Sequence, residues 1–236
     1  MLDFLDGLNR DAGTEACSIY LPPNLSPTEI ENLLKELPEQ PEVTPSLDEI
    51  AGCSLTGSAI FWSPEQTYLV LPPFPVAEKQ LHQSLSTVTL ISLLRHDYRI
   101  AMILVRLGAY AIGVCHGEKL VSSKVGTGLV HGRHKKGGSS AHRFERHRDK
   151  QIEYFLTRVC GRLREQLESH VQSLDYVAYG GARTTIQLLQ KQCPFVAKLD
   201  RPTLPPLLDI PAPRQAVLET AISRVWSSTV IEWREA

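Results

Sequence analysis

The centre of the chain alternates apolar runs of strand length with short turns. Two such runs cover residues 99–105 (RIAMILV) and 109–115 (AYAIGVC), and a third stretch, HGEKLVSSKVG, turns back after them. The turns contain Gly108 and Gly117, and glycine adopts the backbone conformations that tight turns require. This pattern predicts an antiparallel meander of three strands.

The apolar period becomes helical after residue 140. Seven apolar side chains recur at steps of three, four or eight residues: Phe144, Ile152, Phe155, Val159, Leu163, Leu167 and Val171. This spacing puts them on one stripe of a long helix, which we predict over roughly residues 141–172. An apolar run at 175–181 predicts a buried strand, and residues 182–192 predict a further helix. The order βββαβα favours a mixed α/β fold.

The two ends of the chain predict smaller pieces on either side of this centre. Within residues 1–85, a helix starts after the capping residue Ser26 and two short strands follow, so we expect a smaller N-terminal α+β portion. Residues 86–200 are the expected main domain. Residues 201–236 contain a proline-rich link, a helix and a strand, which we expect to pack on the main domain.

Composition narrows the possible classes of protein. The 236 residues are 42% hydrophobic and contain no apolar run long enough to span a bilayer. The five cysteines are scattered and form no CxxC pair, which argues against a disulfide framework or a zinc site. The N-terminus lacks the basic segment of a secretory signal. We therefore expect a cytoplasmic protein without metal, cofactor or membrane partner, and favour a monomer.

Charge is strongly segregated along the chain. The net charge is −1, yet residues 133–150 hold seven basic residues and two acids, a local charge of +5 that leaves −6 for the rest. The basic residues are Arg133, Lys135, Lys136, Arg143, Arg146, Arg148 and Lys150. A local concentration of this kind is typical of a surface that contacts a phosphate backbone.

Four of these positions share one helical face. Arg143, Arg146, His147 and Lys150 follow one another at i, i+3, i+4 and i+7. The paired glycines at 137–138 lie just before this helix and suit a close approach of the backbone to a ligand. A solvated surface helix preceded by a simple flexible loop is the alternative that composition leaves open.

The stretch HGRHKKGGSSAHRFERHRDK, residues 131–150, resembles the signature of the middle domain of eukaryotic and archaeal class I peptide-release factors. In that signature a basic GRxxxGG segment precedes Gln-Ser-Ala and an Arg-Phe-x-Arg-x-Arg helix. The matching residues are Gly132, Arg133, Lys136, Gly137, Gly138, Ser140, Ala141, Arg143, Phe144, Arg146 and Arg148. Because 236 residues are too few for the three domains of class I factors, the chain is more similar to the VLRF family of Vms1-like release factors, in its actinobacterial and Chloroflexi branch.

This resemblance implies a fold, a set of partners and an activity. The implied fold is an RNase H-like mixed sheet with flanking helices, carrying a Gly-Gly loop at 126–140. The implied activity is hydrolysis of peptidyl-tRNA on stalled or split ribosomes, independent of stop codons, with the large ribosomal subunit and its ribosomal RNA as partners. The implied catalytic residues are Gly137, Gly138 and Ser139. The implied RNA-binding residues are Arg133, His134, Lys135, Lys136, Ser140, Arg143, Arg146, Arg148 and Lys150.

One catalytic position departs from the family pattern. The glutamine that follows the two glycines in the family is Ser139 in this chain. The backbone N–H of Ser139 could still stabilise an oxyanion, and its hydroxyl could position a water molecule. No base oriented by a third group marks Ser139 as a nucleophile.

Three functional classes compete on this evidence. The first is an esterase that frees nascent chains, the second is a non-catalytic ribosome- or tRNA-binding surveillance factor, and the third is an RNase H-like nuclease. A nuclease needs clustered carboxylates to hold metal ions, whereas the central strands offer Arg99, Arg106, Glu118 and Lys119. The residue types disfavour the nuclease and leave the choice between the first two open.

Overall fold

A computed structural model of the chain describes residues 1–10, 16–35, 44–132 and 141–234. These residues form the predicted mixed α/β fold, with two five-stranded sheets and flanking helices. The chain divides into two compact units. Residues 97–225 form one unit, and residues 1–96 combine with the chain from residue 226 onward to form the other.

The described residues form the following elements. The strands are β1 (Cys17–Leu21), β2 (Ser58–Ser63), β3 (Gln66–Leu71), β4 (Gln80–His82), β5 (Arg99–Arg106), β6 (Ala109–His116), β7 (Lys119–Thr127), β8 (Tyr176–Gly181), β9 (Thr203–Leu208) and β10 (Thr229–Arg234). The helices are α1 (Leu2–Arg10), α2 (Pro27–Leu34), α3 (Thr44–Cys53), α4 (Val88–Arg95), α5 (Ala141–Leu167), α6 (Arg183–Gln192), α7 (Pro194–Lys198) and α8 (Gln215–Val225). A 3₁₀ helix, Glu168–Ser173, follows α5.

The unit of residues 97–225 contains the predicted meander within a mixed sheet. The strand order is β7-β6-β5-β8-β9, with β6 antiparallel to both β5 and β7. Strand β8 joins β5 in parallel, with Ile100 opposite Tyr176, and β9 joins β8 in parallel. Residues 100–105 of β5 are all buried, as expected for a central strand that is covered on both faces.

Helix α5 forms most of the core on one face of this sheet. Its buried side chains are Phe155, Leu156, Val159, Leu163 and Leu167, and they join one cluster with side chains of β5, β6, β8, α6 and α7. Helix α8 packs against β5, β6 and β7. Gly113 of β6 makes room for it, because a Cβ atom there would lie 3.0 Å from Leu218 of α8.

The second unit is an antiparallel sheet with helices on both faces. Its strand order is β10-β3-β2-β1-β4. Apolar side chains of α2 and α3 pack with one face of the sheet, and those of α1 and α4 pack with the other. The predicted start of α2 is confirmed, since Ser26 and Glu29 form a reciprocal capping box. The hydrogen bonds from Ser26 lower the pKa of the Glu29 carboxyl.

The C-terminal strand corrects the expected domain arrangement. Residues 201–236 were expected to pack on the main domain, but β10 pairs with β3 of the other unit over six residue pairs, from Thr229 opposite Leu71 to Arg234 opposite Gln66. Helix α8, by contrast, remains in the unit of residues 97–225. The chain passes between the two units after residues 96 and 225, whereas the expected boundaries were at residues 85 and 200. The pairing of β10 with β3 leaves no local signal in the sequence, because the two strands lie far apart along the chain.

Three element assignments also change. The proline-rich link contains β9, which is an edge strand. Pro205 and Pro206 have no backbone N–H group to donate to a neighbouring strand, and prolines in a sequence argue against a strand. Strand β7 continues to Thr127, so the first residues of the predicted 126–140 loop belong to a strand. Phe144 was expected to begin the buried stripe of the long helix, but 54% of its surface is exposed.

The cysteines also depart from expectation. Cys160 of α5 and Cys193, which follows α6, form a disulfide across 33 residues of sequence, with their Cα atoms 5.4 Å apart. Cys17 and Cys115 are buried free thiols, and burial raises their pKa to about 11 and about 12 respectively. The pairing arises because α6 packs beside α5, which cysteine spacing alone does not reveal. Among the described residues, no helix is both long and apolar enough to cross a membrane.

Gly181 and Gly161, both in the unit of residues 97–225, provide a matched test of the fold. Gly181 ends β8 with φ +128°, and a Cβ atom there would overlap the carbonyl oxygen of Val105. We expect Gly181→Ala to destabilise the chain by at least about 1–3 kcal/mol through backbone strain. Gly161 faces open space on α5, so Gly161→Ala should stabilise it by about 1 kcal/mol. Urea unfolding followed by circular dichroism measures both, and an unchanged midpoint for Gly181→Ala would contradict the close contact with β5.

Candidate functional site

The expected site residues fall into two groups in the structure. Eight of them lie outside the described residues: Arg133, His134, Lys135, Lys136, Gly137, Gly138, Ser139 and Ser140. The other four, Arg143, Arg146, Arg148 and Lys150, lie on the first turns of α5. The described geometry is therefore that of the two borders of the Gly-Gly segment. One border is the chain at residues 126–132, and the other is the helix that begins at residue 141.

The entering chain lies directly on two aromatic rings. Gly126 sits against the phenol of Tyr110, and a Cβ atom at Gly128 would lie 2.6 Å from Cδ2 of Phe155. The N–H of Gly128 donates to the carbonyl of Gly108 at 2.9 Å. Any larger residue at 126 or 128 would push the chain off these rings, so the two glycines fix the path by which the chain approaches α5.

Two hydrogen bonds then attach this chain to α5. The Nε atom of Arg148 donates to the carbonyl of His131 at 2.9 Å, and the N–H of His131 donates to Oε1 of Gln151 at 3.1 Å. We call this pair of bonds the His131 clip. Arg148 is half-buried, unlike its basic neighbours on the helix. The structure thus gives Arg148 an intramolecular role that the sequence did not indicate, and it adds Gln151, which the sequence analysis missed.

The first turns of α5 extend beyond the protein core. All six residues from His142 to His147 are exposed, whereas a helix packed along a core buries a residue every three or four positions. From His142 onward, the first buried residue of the helix is Phe155. At 1.5 Å per residue the six exposed residues span about 9 Å, so α5 presents a projecting end that carries Arg143 and Arg146 on its surface.

Among the described residues, few intramolecular contacts offset the positive charge on the projecting end of α5. The Nε atom of Arg146 donates to the carbonyl of His142 at 3.3 Å. Glu145 lies 3.9 Å from Nδ1 of His142, and both side chains are largely exposed, so this contact contributes little stability. Within the described part of the chain, no salt bridge involves Arg143 or Lys150. Charge on the exposed end of α5 is therefore available to an external anion.

The described residues provide no metal-binding group, since no three His, Cys, Asp or Glu side chains among them come together in a way that could hold an ion.

The His131 clip can be tested by removing either of the side chains that bond the entering chain to α5. Replacing Arg148 with Ala removes the donor to the His131 carbonyl, and Gln151→Ala removes the acceptor of its N–H. Since a hydrogen bond of this kind contributes about 0.5–1.5 kcal/mol, we expect either change to speed hydrogen exchange of the His131 amide by roughly 2- to 10-fold. Exchange mass spectrometry of the full chain measures this rate.

Arg143→Ala is the matched control for the clip, because it removes an exposed arginine of the same helix without touching His131. Its exchange rate at His131 should equal that of the unchanged protein. If Arg148→Ala left the exchange as slow as Arg143→Ala does, Arg148 would not hold the entering chain.

Comparison with known proteins gives a family and distant structural relatives. No curated protein sequence matches the chain. An archaeal translation termination factor, aRF1, is 16% identical in a match that covers 95% of this chain and 68% of that one, with a TM-score of 0.43. Pelota from Archaeoglobus fulgidus is 11% identical over 96% of this chain and 60% of its own, with a TM-score of 0.30.

The family match covers the unit that carries the candidate site. The family described as Actinobacteria/chloroflexi VLRF1 release factor matches residues 98–231, more than half of the chain. That span runs from the start of the mixed sheet, through the Gly-Gly segment and α5, to the middle of β10. The family that the basic Gly-Gly stretch indicated is therefore confirmed, and the chain belongs to the Actinobacteria/chloroflexi VLRF1 release factor family.

Proposed function

We propose that this protein binds the large ribosomal subunit and hydrolyses peptidyl-tRNA on stalled or split ribosomes, without reading a stop codon. The observation that carries the proposal is the projecting end of α5, whose residues from His142 to His147 are each exposed and follow the Gly-Gly segment in the chain. Membership of a release-factor family supports the same role.

The projecting end suits a binding site whose walls are RNA. A helix end whose residues are all exposed can enter a narrow cleft without displacing the protein's own core. Arg143 and Arg146 would then face phosphates, and each contact would release counterions and add salt-dependent affinity. The basic residues of the preceding segment, Arg133 to Lys136, would extend this contact. The proposed partners are therefore ribosomal RNA of the large subunit and peptidyl-tRNA.

The proposed chemistry needs little from the side chains of the protein. A water molecule attacks the ester carbonyl carbon, the bond to the ribose oxygen of the tRNA breaks, and that oxygen takes up a proton. Gly137 and Gly138 would let the backbone approach the ester where a Cβ atom would collide. The N–H of Ser139 would stabilise the oxyanion, and its hydroxyl would help to position the water. The ribosome and the tRNA would supply most of the positioning.

A non-catalytic surveillance factor is the second candidate. The observation that favours it is Ser139, which stands where the family resemblance implies a glutamine. A serine hydroxyl is shorter than a glutamine amide and has a single donor, so it reaches fewer positions of an attacking water. In this alternative the same basic surface binds the ribosome or the tRNA and no ester is cleaved.

Binding is tested by reversing charge on the projecting end. We expect Arg143→Glu combined with Arg146→Glu to abolish cosedimentation with purified large subunits at physiological salt, because repulsion replaces two phosphate contacts. The fold should be unchanged, since both side chains are exposed. Arg183→Glu combined with Arg214→Glu, at two exposed positions outside α5, is the control of equal charge change. Equal cosedimentation of the double variant and the control would exclude binding through this end of α5.

Catalysis is tested by peptide release from large subunits that carry peptidyl-tRNA. We expect Gly138→Ala to slow release on the order of 100-fold, because it displaces the backbone from the ester, while Gly161→Ala leaves the rate unchanged. Ser139→Gln should raise the rate by restoring the family's usual group. If neither the natural protein nor Ser139→Gln releases peptide although both bind the subunit, the non-catalytic alternative is correct. Rapid release that Ser139→Gln slows would instead make serine the working group.

A further inference from the structure

The solvent face of α5 remains basic after Lys150, the last of the basic residues that the sequence singled out. Lys150, Tyr154 and Arg158 follow at steps of four residues and therefore lie one above the other on this face. All three are exposed, and 75% of the Tyr154 surface is open to solvent. The opposite side of the same turns holds Phe155 and Val159 in the core, so packing fixes the direction in which Tyr154 points.

The charges beside Tyr154 are available to a ligand. In the described part of the chain neither Lys150 nor Arg158 takes part in a salt bridge. The acid nearest in sequence on the far side of Arg158, Glu165, is engaged by Arg162 at 2.6 Å, and this hydrogen bond raises the pKa of the Arg162 guanidinium. Glu153 is exposed on the flank of the helix, and its backbone carbonyl accepts from Gln192 at 2.8 Å. Among the described residues, no salt bridge joins its carboxylate to Lys150 or Arg158. The ring of Tyr154 thus has a free cation one helical turn away on each side.

This arrangement matches the chemistry of an unpaired RNA strand. Proteins that hold single strands combine basic side chains along the backbone with aromatic rings on which bases stack. A single exposed tyrosine does not by itself indicate an RNA site. Tyr154, however, lies between two available cations, so this face offers both the aromatic ring and the basic side chains. Paired RNA hides its base faces inside the helix, so a ring of this kind distinguishes single strands from duplexes.

We propose that Lys150, Tyr154 and Arg158 form a single-stranded RNA site, in which a base stacks on Tyr154 and neighbouring phosphates contact Lys150 and Arg158. The proposal extends the proposed function, because it rests on RNA being the partner of α5. It concerns a stretch of α5 more than two helical turns from the start of the helix, and shares only Lys150 with the implied RNA-binding residues. Its ligand is an unpaired segment of RNA, and not the ester of peptidyl-tRNA.

The stacking part is tested with the full chain and a fluorescein-labelled oligouridine, by fluorescence anisotropy. Because stacking on one aromatic ring contributes about 1–3 kcal/mol, Tyr154→Ala should weaken binding roughly 5- to 100-fold. Tyr154→Phe keeps the ring and should bind within about 2-fold of the natural protein. Leu188→Ala, which trims a partly exposed side chain of α6, is the control. A hairpin duplex of the same length should show no loss with Tyr154→Ala.

The phosphate part is tested by the salt dependence of the same binding. Lys150→Ala and Arg158→Ala should each reduce the slope of log affinity against log salt by about 0.7, the value for one contact to a single strand. Tyr154→Ala should leave the slope unchanged, since stacking releases no counterion. Arg214→Ala is the charge control and should change neither affinity nor slope.

Three outcomes would overturn the site. They are equal binding by Tyr154→Ala and Tyr154→Phe, unchanged salt slopes in Lys150→Ala and Arg158→Ala, and a loss by Tyr154→Ala that is as large on duplex as on single strands. These outcomes are separate from failure of the proposed function, which is read from subunit cosedimentation of the Arg143 and Arg146 variant and from peptide release by Gly138→Ala.

Discussion

The packing of α5 against the mixed sheet determines everything else at the candidate site. Five buried side chains between Phe155 and Leu167 hold more than three turns of the helix on the sheet, and each contributes roughly 1.5–3 kcal/mol by its burial. The turns before Phe155 are a continuation of the same rigid element. A helix that is anchored so firmly at one end can keep its other end in a defined direction without contacts there.

The segment that carries the two glycines is attached to this helix at both borders. On one side it continues covalently into Ala141, and on the other the His131 clip joins the chain to Arg148 and Gln151. The close contacts of Gly126 and Gly128 with aromatic rings bring the chain to that clip. The clip therefore fixes where the described chain up to residue 132 lies beside α5, even though its two bonds are weak contributions to stability.

Local patterns in the sequence predicted most of the elements of the main unit, and non-local pairing accounts for most of what they missed. The meander of β5 to β7, the long helix α5 and the strand β8 after it were predicted from the spacing of apolar residues alone. Strand β9 was missed because Pro205 and Pro206 read as a link, and β10 was misplaced because its partner β3 lies some 160 residues away.

At the site itself, the basic residues could be named from the sequence but their separate roles could not. Arg146 and Arg148 are both arginines of the same basic run. Only the fold shows that one is exposed and that the other donates to the His131 carbonyl. Tyr154 lay outside the motif, and its exposure depends on which face of α5 meets the sheet.

The proposed contact with a polyanion is compatible with a net charge of −1, because the positive charge is concentrated in one part of the chain. At physiological salt, charges screen one another over about 8 Å, so a phosphate at the end of α5 responds to the basic residues there and only weakly to more distant acids. The attraction is therefore local and fades as salt rises. The stacking proposed on Tyr154 would obey different physics, because it depends on contact area and not on charge. In the proposed interface, α5 would therefore combine a salt-dependent attraction for RNA with a salt-independent contact to a base.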